Sequence, residues 1–217
     1  YQIQPVWRAD RPARGRFRAF YQCDVDATGS TSPVVEAELC AAACEAMQAL
    51  GFGDAVLRLN HRAVLTGVLD VDGVKAEYAA RGLAPEIADT VLGILGAAAV
   101  SGAVAADNAA ALDKVAAFVD GHEAATAAIA TMRTVLALAS RTPAAGQLRV
   151  DLSLARGLSY YTGCIMEMTV PDMAGSLGGG GRYDGLVGMF LGQPVPAAGF
   201  SLGLERILVV MGERGMF

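Results

Sequence analysis

The chain has 217 residues, 53% of them hydrophobic, and a net charge of −5, which supplies material for a sizeable core and argues against wholesale attraction to a polyanion. Fifteen of its 17 basic residues are Arg, a bias toward planar recognition of oxygens. It shows neither about 18 uncharged apolar residues in a row nor a charged start followed by an apolar stretch and a cleavage site, so a cytoplasmic protein without membrane contact is expected.

Residues 1–29 read as a long antiparallel hairpin. Its loop carries Arg11, Arg14, Arg16 and Arg18, with Pro12 and Gly15 as turn formers. A solvated charged tip is the plain account of that loop. In the return strand, Phe20, Gln22, Asp24 and Asp26 share one face with period two. A ring, an amide and two carboxylates in a row suit stacking on a base and holding an ammonium.

Ser32 and Pro33 then open a helix, Ser32 as N-cap and Pro33 at the first helical position, running to about Leu50 with Gly51 as its stop. Cys40 and Cys44, four apart within it, read as core thiols. Cys23 and Cys164 complete a set with no Cys-x-x-Cys pair, and His61 and His122 add no zinc-like spacing, so no metal site is expected. Ala55 to Asn60 reads as a short strand, with His61 and Arg62 at a strand-to-helix turn, where His61 is a local hydrogen-bonding residue.

From about Leu69 to Arg141 the chain is Ala-rich and helical in period, with breaks at Gly82 to Pro85, Gly93 to Gly102 and Gly121. It reads as a helical insertion without visible chemistry. After Pro143 and Gly146, Leu148 to Leu152 gives a strand and Cys164 to Val170 another. Between them, Arg156 beside Tyr160 and Tyr161 suits a small zwitterionic or aromatic ligand joined to a phosphate, or is an edge strand with packed tyrosines. Gly178 to Gly181 precede Arg182, Tyr183 and Asp184. Four glycines let the backbone approach a ligand, or form a floppy loop. Ala197 to Ile207 reads as a Gly-containing strand running into a helix, with Arg206 placed to meet a phosphate.

Four of these segments resemble one family. Trp7 to Pro12 with Arg16 to Gln22 is similar to motif 2 of the class II aminoacyl-tRNA synthetases, and Gly199 to Arg206 to motif 3. Arg156 to Gly163 and Gly178 to Gly185 resemble the two histidine signatures of the histidyl-tRNA synthetases. The resemblance implies an α+β fold, an antiparallel sheet flanked by helices, with a catalytic core at 1–68 and 146–217 and an insertion domain at 69–145. It implies activation of histidine by ATP, with Mg2+ carried on the nucleotide, then transfer to tRNA(His) by a homodimer.

The resemblance also assigns roles. Arg8 would bridge the α-phosphate and the substrate carboxylate, Arg156 would reach that phosphate from the other side, and both are the catalytic residues. Arg206 would hold the far phosphates, Phe20 would stack on adenine, and Asp10 and Arg16 would complete the ATP end. Gln22 and Asp26 would bind the histidine ammonium. Tyr160, Tyr161, Gly180 and Tyr183, with Arg156, would surround the rest of the amino acid. The chain has Ser159 where the family usually has Asp, and Asp10 where it often has Glu. Motif 1 and an anticodon-binding domain are expected beyond these residues, because the chain opens at Tyr1 and lacks both. A regulatory subunit of ATP phosphoribosyltransferase, which keeps the fold and senses histidine, is the alternative; such subunits tend to lose the phosphate-binding arginines that Arg8, Arg156 and Arg206 supply here. A synthetase-like module of a translation-control kinase is a further one.

Overall fold

The computed structural model describes residues 1–9, 11–70, 104–154 and 160–217. Asp10, Arg156 and Ser159, and the expected helix breaks between 82 and 102, lie outside the described residues.

Among the described residues, seven strands form one sheet: β1 (Gln2–Trp7), β2 (Ala19–Thr28), β3 (Val56–His61), β4 (Leu148–Val150), β5 (Cys164–Thr169), β6 (Gly178–Arg182) and β7 (Ala197–Gly203). Their order is β1-β2-β7-β6-β5-β3-β4. Neighbours run antiparallel except β3 with β4. Among the described residues the helices are α1 (Val34–Ala49), α2 (Arg62–Asp70), α3 (Val104–Phe118), α4 (Glu123–Ala139), α5 (Leu186–Leu191) and α6 (Leu204–Glu213).

Because side chains alternate along a strand, the registers divide the sheet into two faces. One row runs Val25, Phe200, Gly180, Met166, Leu59 and Val150; it is apolar and faces the core. The next row runs Asp24, Ser201, Gly179, Glu167 and Arg58, and it is polar. The sheet therefore has one apolar face and one polar face.

Helix α1 buries Leu39, Cys40, Ala43, Cys44 and Met47, spaced three and four apart. Cys40 and Cys44 are core thiols. Burial pushes the Cys44 thiol up to about 12. The helix begins one residue later than its sequence suggests. Pro33 holds the cap position, while Ser32 accepts the Val34 N–H on its hydroxyl at 3.3 Å and the Val35 N–H on its carbonyl at 3.1 Å. Gly51, at φ +86°, ends the helix.

Helices α3 and α4 lie within the stretch read as an insertion, yet their buried side chains join the core beneath the sheet. Helix α4 buries Ala128, Ile129, Met132 and Val135, and it packs against α1 and α2. At the α2 crossing, a Cβ on Gly67 would stand 2.5 Å from that of Ala125. Helix α3 covers the β4 edge: the Asn108 amide donates to Leu148 O at 3.1 Å and accepts the Val150 N–H at 2.8 Å. Pairing an edge strand with a side chain satisfies backbone groups that have no further strand beside them. The described half of the Ala-rich stretch is thus continuous with the core, because its small residues allow close helix packing.

The four-glycine run is the largest departure from local propensity. Gly178–Arg182 is an interior strand, paired with β5 on one side and β7 on the other. Glycine weakens strands in isolation, and here crowding demands it. A Cβ on Gly178 would lie 2.6 Å from Ser201 O, and one on Gly180 would fall on Gly199 O.

Candidate functional site

A cleft of about 500 Å3 opens on the polar face, across β2, β7 and β6 and under the β1–β2 loop. Of the site residues read from sequence, ten are brought together along it. Arg8, Arg16, Phe20 and Arg206 line the end beneath the loop, and Gln22 and Asp26 line the strand between. Tyr160, Tyr161, Gly180 and Tyr183 line the far end. Asp10 and Arg156 lie outside the described residues.

Strand β2 positions the middle of the site. The Arg8 guanidinium lies over the Phe20 ring, 5.0 Å from its centre, and donates to Gln22 Oε1 at 2.8 Å. Gln22 Nε2 donates to Asp24 Oδ1 at 3.0 Å and to Ser201 Oγ at 2.8 Å. Two residues further on, Asp26 accepts the Tyr183 hydroxyl. Asp26 lies where a side chain on Gly199 would stand. Burial, and then the Asp26 carboxylate, hold the Tyr183 pKa above the usual phenol value, so its hydroxyl stays a donor at neutral pH.

The far wall is aromatic. Tyr160 and Tyr161 are tilted with centres 4.7 Å apart, and Tyr183 stands edge-on to Tyr160 at 6.3 Å. Tyr161 is buried, with its ring over Gly181, where a Cβ would come within 2.9 Å of it. Gly180 lines the cleft through its backbone; the registers put Gly179 and Gly181 in the site-face rows and Gly180 in the core-face row.

At the loop end, Arg206 Nε donates to Gly15 O at 2.8 Å and its NH1 to Ser176 O, seating the hairpin tip across the start of α6. Arg14 turns away from the cleft, donating to Glu213 Oε1 at 2.8 Å. Sequence reading did not single out three further polar groups. Glu205 caps the end of the β2–β7 ladder, both oxygens accepting the Tyr21 N–H at 2.7 and 2.8 Å. Ser201 faces Asp24 across the strands. Glu36 binds Arg182 with two hydrogen bonds of 2.6 and 2.7 Å beneath the site. Glu36 had a local signal: a carboxylate one turn before Cys40 on the apolar face of α1 demands a buried cation.

Asp151 pairs with Arg58, and Asp184 with Arg182 at 3.0 Å. Among the described residues no three His, Cys, Asp or Glu side chains are grouped to hold a metal ion, and no helix is long and apolar enough to cross a membrane. The cleft offers arginines and a ring at one end, carboxylates and an amide in the middle, and phenols at the other. Such a gradient fits a ligand that is anionic, then cationic, then aromatic along its length.

The family model for histidyl-tRNA synthetase matches residues 1–207. A histidine–tRNA ligase of Gloeobacter violaceus is 39% identical over 243 residues, covering 100% of this chain and 50% of that protein. The chain spans about half the length of the curated relatives it matches. The crystal structure of histidyl-tRNA synthetase from Nostoc sp. PCC 7120 superposes with a TM-score of 0.78 at 28% identity, over 100% of this chain and 55% of that one. An ATP phosphoribosyltransferase regulatory subunit/histidyl-tRNA synthetase from Bacillus halodurans C shares the fold, with a TM-score of 0.77 at 20% identity over 94% of this chain and 56% of that one.

Proposed function

This chain belongs to the histidyl-tRNA synthetase family, and on that premise we propose that it is the catalytic core of a histidine–tRNA ligase, forming histidyl-adenylate from histidine and ATP and passing the histidyl group to tRNA(His). The observation that carries this reading is strand β2. It sets Phe20, Gln22 and Asp26 on one face, with Arg8 at one end and Tyr183 at the other. At about 3.3 Å per residue, that row is about 20 Å long, the span of an amino acid and a nucleotide laid end to end.

In this reading ATP lies at the loop end. Phe20 stacks on adenine, Arg206 and Arg16 hold the far phosphates, and Arg8 spans the α-phosphate and the histidine carboxylate. Asp26 and Gln22 take the ammonium, and the imidazole lies against Tyr161 and Tyr183. A histidine carboxylate oxygen attacks the α-phosphorus, the bond to the bridging oxygen breaks, and pyrophosphate leaves with that electron pair. Such a displacement needs alignment and charge stabilisation more than covalent help. Mg2+ arrives on the phosphates of ATP as part of that substrate. Arg156 and Asp10 are proposed for the α-phosphate and the ATP end on the family resemblance. A homodimer of the cytoplasm is part of the same reading.

The test is ATP–pyrophosphate exchange by the intact protein, driven by each amino acid in turn. Exchange driven by histidine and lowered about 100- to 1,000-fold by Arg8→Ala supports the enzyme. Histidine binding without exchange would instead assign the chain to the histidine-sensing regulatory subunits, whose fold it shares.

A further inference from the structure

We propose that Asp24 and Ser201 are positioning residues that fix which end of the Gln22 amide faces the substrate, and so make Gln22 an acceptor for a cationic nitrogen. The inference rests on the reading that Gln22 meets the substrate ammonium.

The argument follows from counting donors and acceptors. A carboxamide presents two N–H donors on one side and an oxygen with two lone pairs on the other. Gln22 lies between Arg8, which can only donate, and Asp24, whose carboxylate can only accept. One orientation satisfies both neighbours. Turning the amide over would set N–H against the Arg8 guanidinium and carbonyl oxygen against the Asp24 carboxylate. Ser201 accepts the second N–H at 2.8 Å. Both donors of Gln22 are then engaged within the protein, and its oxygen retains one lone pair beyond the Arg8 bond.

Strand register builds this clamp. Asp24 is directly opposite Ser201, and Gln22 is opposite Gly203. With no side chain at position 203, the Gln22 amide can lean diagonally across the ladder onto the Ser201 hydroxyl, the reach that diagonal neighbours allow. What Gln22 can offer a ligand is therefore acceptance. A substrate carboxylate or carbonyl would meet oxygen there, whereas an ammonium would be bound. The same oxygen is held by Arg8, so the two halves of the cleft share one atom.

The experiment compares the affinity of the intact protein for histidine and for imidazolepropionate, the same molecule without its amino group. Gln22→Ala, Asp24→Ala, Ser201→Ala and the Asp24→Ala/Ser201→Ala pair are measured by calorimetry, with Ser201→Thr as the variant that keeps a hydroxyl. The expected result is a preference for histidine reduced about tenfold or more in Gln22→Ala and in the Asp24/Ser201 pair, retained in Ser201→Thr, with imidazolepropionate affinity moving by less than about threefold throughout. In exchange kinetics, KM for histidine should rise in the pair while KM for ATP stays within about twofold. If Gln22→Ala loses the preference and the pair keeps it, the positioning role is overturned and the ammonium reading stands. If Gln22→Ala itself keeps the preference, both fall. A pair that weakens both ligands equally marks a structural role and also overturns the inference.

Discussion

His61 shows how burial alone sets a residue's chemistry. Burial lowers its pKa to about 4, a loss only partly offset by the nearby Glu36 carboxylate. Its Nδ1 accepts the Ala63 N–H at 3.1 Å at the start of α2, as the local hydrogen-bonding role read from sequence requires. A base with a depressed folded pKa costs nothing above the unfolded value of about 6.5 and destabilises as pH falls from there to about 4, where the loss levels off. At about 1.4 kcal/mol per unit the full loss is on the order of 3 kcal/mol. Urea denaturation of the wild type and His61→Asn between pH 7.5 and 4 should therefore show the variant gaining on the wild type as pH falls. A stability difference that stays constant with pH would show that His61 does not titrate in this window. The row Phe20, Gln22, Asp24 and Asp26 was legible because alternation is a local property. The roles of Ser201 and Glu205 were not, since their partners Gln22 and Tyr21 lie 179 and 184 residues away, a relation that no local pattern encodes.

Two joints between elements carry stability predictions. Glu36, in the first turn of α1, holds Arg182 at the end of β6, and the Arg182 guanidinium also donates to Ser30 O at 2.9 Å and to Asp184 at 3.0 Å. Both partners are nearly enclosed. Removing one member of such a pair leaves a buried charge, so Glu36→Ala should lower unfolding free energy by about 3–5 kcal/mol, with Glu36→Gln losing less; a change under about 1 kcal/mol would mean that water reaches Arg182. At the crossing of α2 and α4, Gly67→Val should cost about 1–3 kcal/mol through crowding against Ala125, read as a shifted denaturation midpoint with unchanged slope. Most elements were readable from period, from the proline and glycine at the ends of α1 to the strand-to-helix passage of β7 into α6. Strand β6 was not, because glycine contributes nothing to strand propensity and its need arises only once β5 and β7 flank it.

For the molecule as a whole, the Ala-rich stretch and the sheet were read as separate parts, and the shared core makes a prediction about how they open. The slowest-exchanging amides of α4, β3 and β5 should report one common opening free energy, because Met132, Leu59 and Met166 lie in one cluster. A value for α4 lower by more than about 2 kcal/mol would mark it as a body that unfolds by itself. The glycine patch on which β6 and β7 meet has a different consequence, for repair. When a side chain in an ordinary core is enlarged, trimming a neighbour can restore the fit. Here a methyl added at Gly180 meets the backbone of Gly199, and one added at Gly178 meets the backbone of Ser201. Nothing smaller than glycine exists and main-chain atoms cannot be trimmed, so no second substitution in the opposing strand can rescue the first. A suppressor screen starting from Gly180→Ala should return reversions at that codon and few compensating changes along β7.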